Sequence, residues 1–417
     1  MTANSLHFLS GKKIVVAGAG IGGLAFVISL KKVWNPDLPF PELLIYDRDP
    51  RELPADRAGY SLSFNGVDEN GGMVACRDMG ILQKILDRAL VGLPKEAGFH
   101  IWDNDWSVII GMKLKPFEDL PSISVRVRRS DLREVLVEEA EKIATIHWAT
   151  RVTSAEHLED GSVRVHVTPE DGSPASTQDC QLLVAADGAH SKVRASFRPE
   201  DELKYRDCVQ FGGLSRFPEG GIPSPLNKDW GMIVTGHGAG CFFSPVDQES
   251  VVWAISRWEK DGPRDGYKKD DAEAFEALKK DALQLGKSMA EPFTSIVNST
   301  VQEQSFVTPT RDKEPFAHDA ALKNVIFIGD ANHCVSSFAG NGANLALKDG
   351  WDLAKQLTEA DSAEDAVAAY DALALPRAQK TLKDSHDRMN QSHYSGFKWT
   401  LLKGTLKASN AVMSIGK

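Results

Sequence analysis

Near its start the chain alternates between two hydrophobic periods. Ile14-Val15-Val16-Ala17 is continuously apolar, so Lys12 to Ala17 reads as a strand buried on both faces of a parallel sheet. Gly22 to Val33 then reads as a helix, and the proline-rich stretch Asn35 to Pro41 ends it. Leu43-Leu44-Ile45-Tyr46 is a second apolar strand and closes a βαβ unit. Further on, Leu132, Val135, Leu136, Ala140 and Ile143 recur at helical spacing behind a Ser130 N-cap with Asp131 in the first turn. Residues 150–185 read as hairpin strands turning at Glu159-Asp160-Gly161 and Glu170-Asp171-Gly172. Residues 205–258 are strand-like again, notably Met232 to Thr235, Cys241 to Phe243 and Val251 to Ile255. Helix returns over 268–290 and dominates from 343 to the end, with a break expected at Pro376.

Composition narrows the class. With 417 residues the chain has room for roughly two to three domains. Its 42% hydrophobic and 25% charged residues are those of an ordinary globular protein. A net charge of −10, from 48 basic and 58 acidic residues, argues against nucleic acid or an anionic membrane as the main partner, although the cluster Arg126-Val127-Arg128-Arg129 is a candidate anion site. Five scattered cysteines form no CxxC pair, so neither a disulfide framework nor a metal site is expected, and a cytoplasmic setting with reduced thiols fits. The first strand begins about ten residues in, leaving no room for a cleavable leader. The uncharged run 14–30 has 17 residues, short of the ~20 that span a bilayer, and its glycines suit a strand-turn-helix.

Three glycine-anchored motifs carry the chemistry. Gly18, Gly20 and Gly23, with Ile21 among them, have a strand before and a helix after, the context of a dinucleotide fingerprint. The first glycine makes the tight turn, the second admits a pyrophosphate to the backbone, and the third packs helix on strand. Asp47, followed by Arg48, ends the second strand where ribose hydroxyls would lie. Asp187-Gly188 ends the apolar strand Leu182 to Ala186, where a carboxylate is well placed for a ligand; alone, it reads equally as a simple turn. Val325 to Ile328 delivers Gly329-Asp330 to a strand end, and Gly340 and Gly342 precede a helix beginning near Ala343-Asn344. The positive end of that helix would face a ligand.

In this order the motifs resemble the single-component FAD-dependent monooxygenases of the aromatic-hydroxylase type (class A flavoprotein monooxygenases). Arg129-Ser130-Asp131-Leu132-Arg133 is similar to a family element whose first arginine contacts FAD, and Arg57-Ala58-Gly59-Tyr60 is similar to the loop that lies against the flavin. The resemblance implies an α/β fold: a Rossmann-like FAD-binding domain of the GR2 type, an inserted antiparallel β-sheet substrate domain and a C-terminal helical region. The FAD domain is expected from residues 1–86, 119–200 and 306–370, the substrate domain from 87–118 and 201–305, and the helical segment from 371–417. It also implies that Asp330 holds the ribityl chain, that Asp187 serves both FAD and the pyridine nucleotide, and that NADPH or NADH binds transiently without a fingerprint of its own.

The activity implied is insertion of one oxygen atom from O2, through a flavin C4a-hydroperoxide, into a small aromatic or alkaloid- or polyketide-like substrate. Phe243, Trp253 and Phe338 are candidate substrate contacts, the first two fitting the core of the sheet equally well. His237 is a candidate base that reads as readily as a surface histidine. Three departures stand out: Ser336-Ser337 where prolines are usual, Phe211-Gly212-Gly213-Leu214 without a phenolate-anchoring arginine, and Ala374 where an arginine is common. An FAD-dependent reductase or dehydrogenase on the same fold, and a flavin-binding protein without turnover, are the alternatives.

Overall fold

The computed structural model describes residues 7–54, 59–93, 98–112, 114–262 and 266–415. Its organising element is a five-stranded parallel sheet in the order 325–327, 182–185, 13–17, 42–46, 145–147. Register aligns the strand ends: Ala17 lies beside Tyr46 and Ala185, and Ala185 beside Phe327. The chain therefore leaves one edge of one sheet at Gly18, Asp47, Ala186 and Ile328. Motifs separated by more than a hundred residues emerge side by side, at the carboxyl ends where open α/β sheets bind ligands.

Both faces of this sheet are covered, as its uninterrupted apolar runs require. Ile14, Val16, Ile45, Leu182, Val184 and Ile326 face helices, including Ile21–Val33 and Gly342–Glu359. Val15, Ala17, Leu183, Ala185 and Phe327 face the three-stranded antiparallel sheet 150–157, 163–169, 176–180. Helix Ile21–Val33 is buried from Gly22 to Leu30 because Gly342–Glu359 packs over it. Their approach is close enough that a Cβ at Gly350 would stand 2.6 Å from the Phe26 nitrogen.

A seven-stranded sheet forms the second layer, in the order 306–312, 204–216, 250–258, 240–245, 230–234, 99–102, 108–111. Helices Ala272–Leu285 and Phe293–Asn298 cover one of its faces. A small sheet, 61–65, 124–128 and 89–91, lies between the two larger ones.

Four expectations are corrected. Strand Phe306–Asp312 pairs with Lys204–Arg216, so it belongs to the large sheet and not to the nucleotide domain. Strand Ala89–Val91 pairs with Ser124–Arg128 in the small sheet and is not part of the substrate sheet. Pro376 sits inside one helix, Ala363–Ser392; the carbonyl it leaves unpaired belongs to Ala372, an exposed residue that water can serve. Helix Arg129–Ala140 takes Arg128 as its N-cap, with Ser130 already in the first turn.

Gly350→Ala is expected to destabilise the protein by about 1–3 kcal/mol, since backbone lines the space. Gly404→Ala, in a helix with open space around that position, is expected to be neutral or stabilising by up to about 1 kcal/mol. Chemical denaturation of the two variants and the parent measures the difference.

Candidate active site

Gly18 adopts φ +108°, and a Cβ there would lie 2.4 Å from the Ala186 carbonyl oxygen. A side chain at Gly23 would meet the Gly18 carbonyl at 2.1 Å. The two glycines thus let three backbone segments meet, while Gly20, at the start of helix Ile21–Val33, faces open space. Asp47 closes the turn: its Oδ2 accepts the Ala19 N–H at 2.6 Å and its Oδ1 accepts the Asp49 N–H at 2.7 Å. Burial pushes its carboxyl up, partly offset by those two bonds. Each oxygen keeps a lone pair for a hydroxyl donor. Arg48 is half-exposed, 3.8 Å from Asp49. Arg57 lies outside the described residues. Gly59, at φ +74°, packs on Arg129, whose Cδ would be 3.0 Å from an added Cβ.

Asp187 is committed within the protein. It accepts Ser191 Oγ–H at 2.5 Å and the N–H groups of Lys192 and Val193 at 2.7 and 3.2 Å, so it closes the start of helix Lys192–Phe197 together with the N-cap Ser191, whose Oγ accepts the Arg194 N–H at 2.9 Å. Arg194 donates to the carbonyls of Ala189 and Ala331 at 2.7 and 2.8 Å, tying this turn to the Gly329-Asp330 segment. Gly188, at φ +81°, has only open space beside it.

Asp330 is open to solvent yet walled by protein, and this setting raises its carboxyl pKa, with His333 and Arg129 opposing the shift. A Cβ at Gly342 would stand 4.0 Å from Asp330 Oδ1, so the start of helix Gly342–Glu359 faces this carboxylate. Leu345 is the first N–H of that helix to reach a backbone acceptor, Asn341 O at 3.0 Å, which leaves Gly342 and Ala343 at the open end. Asn344 is spent on structure: its Oδ1 accepts from Asn65 and Gly72 N–H, and its Nδ2 donates to Ser63 O.

Beneath this loop lies a buried network that the motifs do not contain. Asp349 Oδ2 accepts the Gly329 N–H at 2.9 Å and meets His333 Nε2 at 2.6 Å, while its Oδ1 receives Arg377 at 2.9 Å. Arg377 also holds Asp352 at 2.7 Å. Burial alone would raise the Asp349 carboxyl, but the two cations outweigh it and hold the pKa at about 2. Burial likewise opposes a charge on His333, yet Asp349 keeps its pKa above the usual value.

The segment where prolines are usual is fixed instead by hydroxyls. Ser336 Oγ meets Ser385 Oγ at 2.6 Å, Ser337 donates to Gln210 Oε1, and Arg388 holds the Ala339 carbonyl at 2.8 Å. Gly340 ends the turn at φ +59°.

Comparison with known proteins agrees with this arrangement. An FAD binding domain model matches residues 65–385. A monooxygenase, cfoF of Aspergillus candidus, is 41% identical over 93% of each chain. The chain belongs to the FAD-dependent monooxygenases. A further relative, aptC of Emericella nidulans, is 25% identical over 93% of this chain and 96% of its own. Among solved structures, Klebsiella pneumoniae HpxO with FAD and uric acid superposes with a TM-score of 0.74, at 21% identity, over 99% of this chain and 97% of that one. FAD is the cofactor, and the residues present fit it: a glycine turn that excludes side chains, two helix starts and two carboxylates share one cleft.

In this monooxygenase the large sheet turns one face to the cleft, and strand alternation decides which residues line it. Ser244 contacts Ser61 on the small sheet at 3.1 Å, so Phe242, two residues earlier, shares its face. Phe242 lies beside Ala254 and Met232 in the register, and Ala254 beside Gly212. Phe243 and Trp253 point the other way, into the core beneath helices Ala272–Leu285 and Phe293–Asn298, where the Trp253 indole donates to Thr300 Oγ1 at 2.9 Å. They are therefore core residues, one position out of phase with the cleft. Trp106 and Phe293 pack directly on Phe243. His237 is exposed in the 235–239 hairpin, bridged to Ser395, and meets none of the three motifs.

Phe338 is half-buried, 6.0 Å from the His393 ring. That histidine lines a cavity of about 370 Å³ with Trp258, Asn390, Tyr394, Ser395 and Lys398. Its Nδ1 lies 2.7 Å from the Met389 carbonyl, which assigns the proton to Nδ1, and burial lowers its pKa. Its Nε2 faces the Cys208 thiol at 4.0 Å. Arg126, buried at the seam of the small and large sheets, donates to Ser244 and Ser63 hydroxyls at 2.8 Å each and stands 5.5 Å from the Phe242 ring. Burial among these neutral partners lowers its pKa to about 9. Phe242 has no motif to mark it, though period-two alternation from Ser244 would have found it; Arg126, marked in the sequence as part of a candidate anion cluster, is instead spent on serine hydroxyls at the seam.

Two outcomes follow from this geometry. Asp349→Asn removes the charge that compensates His333 and Arg377 and is expected to cost about 3–5 kcal/mol. Because the folded pKa of Asp349 is depressed, its stabilisation is present above about pH 4 and is lost as pH falls towards 2. Melting temperatures across that range should fall more steeply for the parent than for the variant, which also retains less FAD on purification.

Proposed function

We propose that this monooxygenase is an NAD(P)H-driven hydroxylase of a small aromatic or polyketide-like ring. The observation that carries the reading is the alignment of the three glycine turns at one edge of the parallel sheet, which would form one wall of the site, with Phe242 and Ala254 on the large-sheet face beside Ser61 as the other. A planar ring fits between such walls. The related Klebsiella structure holds uric acid, itself a planar ring system, which supports the reading.

When bound, FAD accepts reducing equivalents from the nicotinamide donor and activates O2. The chain supplies position and charge. Gly18, Gly20 and Gly23 bring the start of helix Ile21–Val33 to the pyrophosphate. Asp47 accepts ribose hydroxyls and Asp330 the ribityl hydroxyls. The start of helix Gly342–Glu359, with its open N–H groups, would offer positive potential to negative charge on the bound cofactor. Arg129, behind Gly59, adds a second positive group there. Asp187 acts through shape: by closing the start of its helix it holds Gly188 open to the cleft. The hydroxyl-anchored Ser336-Ser337 segment fixes the loop that leads into helix Gly342–Glu359.

Rapid-mixing reduction of the purified flavoprotein by NADPH and by NADH, across a panel of phenols and polyketide-derived aromatics, tests this reading. A true substrate is expected to accelerate reduction, and product formed under labelled O2 should carry one labelled atom. Turnover that leaves the product unlabelled would favour a reductase or dehydrogenase. Phe242→Ala is expected to weaken substrate binding about tenfold, as for loss of one buried aromatic contact. Phe243→Ala should instead cost about 3–5 kcal/mol of stability, read from denaturation.

A further inference from the structure

Helix Gly396–Ile415 carries two apolar faces, of which the fold uses one. Trp399, Leu402 and Leu406 turn to the large sheet and pack with Ile109, Val234 and Met232. On the opposite side Phe397, Leu401, Thr405, Ala408 and Val412 recur at spacings of three and four residues, all exposed. Phe397 is 81% exposed, Leu401 61% and Val412 71%, exposures that a helix in water has no reason to give to three large apolar side chains on one face. The same end of the molecule exposes Val108, Met112 and Leu114, on and just after the edge strand Val108–Gly111 that packs beside this helix.

Charge identifies what covers this face. The chain as a whole carries −10, yet residues 395–417 contain Lys398, Lys403, Lys407 and Lys417 and no acidic residue. On a helical projection Lys398 borders the outward face on one side and Lys407, beyond Thr400, Gly404 and Ala411, borders it on the other, while Lys403 lies on the inward side. Lys403 and Lys407 also reach Asp103 at 2.5 and 3.7 Å, which anchors that border to the sheet. An apolar stripe between lysine margins matches the hydrocarbon boundary and headgroups of an anionic lipid surface. A second copy of the chain fits less well, because a self-complementary contact through this face would bring the flanking lysines Lys398 and Lys407 of one copy towards those of the other, with no acidic residue on the helix to receive them. The overall negative charge acts weakly here, since salt screens it beyond about 10 Å while the lysines sit at the contact.

We propose that the outward face of helix Gly396–Ile415 seats the monooxygenase on anionic lipid surfaces, the helix lying in the plane of the headgroups. Among the described residues no helix is long and apolar enough to cross a membrane, so the association is peripheral. It follows from local charge, where whole-chain charge had argued against a membrane partner.

Flotation of the full-length flavoprotein with vesicles of phosphatidylcholine alone, or of phosphatidylcholine mixed with phosphatidylserine, tests the proposal. The protein should float with the anionic vesicles, remain behind with the neutral ones and be released by added salt. Replacing Phe397→Glu and Leu401→Glu together should reduce recovery about tenfold or more, while flavin content and melting temperature stay at parental values. No flotation with anionic vesicles, or equal recovery of the double variant, overturns the proposal. So does a parental dimer that ignores vesicles and that the double variant converts to monomer, which would assign the face to a second copy.

Discussion

The buried carboxylate of Asp349 is the interaction on which the site depends. It sits in helix Gly342–Glu359, beneath the loop that delivers Asp330, and receives Gly329 N–H, His333 and Arg377 together. Removing a carboxylate from water is costly, and only convergent partners make it tolerable. Here the partners come from the turn after edge strand 325–327, the short helix after it and helix Ala363–Ser392. One charge therefore fixes the flavin loop relative to the sheet and to the helical segment.

The second constraint is register. The parallel alignment of Ala17, Tyr46, Ala185 and Phe327 makes one site from motifs far apart in the chain. The glycines at Gly18 and Gly23 then allow the turns to nest at distances no side chain permits. Carboxylates at the same edge divide their labour. Asp330 remains open to the cleft, whereas Asp187 is consumed by the helix start it closes. The convergence of all three turns gives the FAD of this monooxygenase one edge of one sheet to occupy. The hydroxyl-bonded Ser336-Ser337 segment shows how a rigid loop is kept without proline: each serine is tied to a different element, helix Ala363–Ser392 and strand Lys204–Arg216.

The chain itself determined its strands, its glycine turns and its cofactor class. These are local matters: an unbroken apolar run, a positive φ or a short spacing is visible within about ten residues. The tertiary structure decided what depends on partners distant in sequence. It moved Phe306–Asp312 to the large sheet through pairing with Lys204–Arg216, and it kept Pro376 inside a helix whose packing outweighs one lost bond. It also turned Phe243 and Trp253 into the core and Phe242 towards the cleft, because a strand's face is set by which neighbour covers it and composition is blind to that choice. Asp349 and the bare face of the last helix were hidden for the same reason. A buried charge or an uncovered apolar stripe becomes recognisable only when the fold has settled what surrounds it.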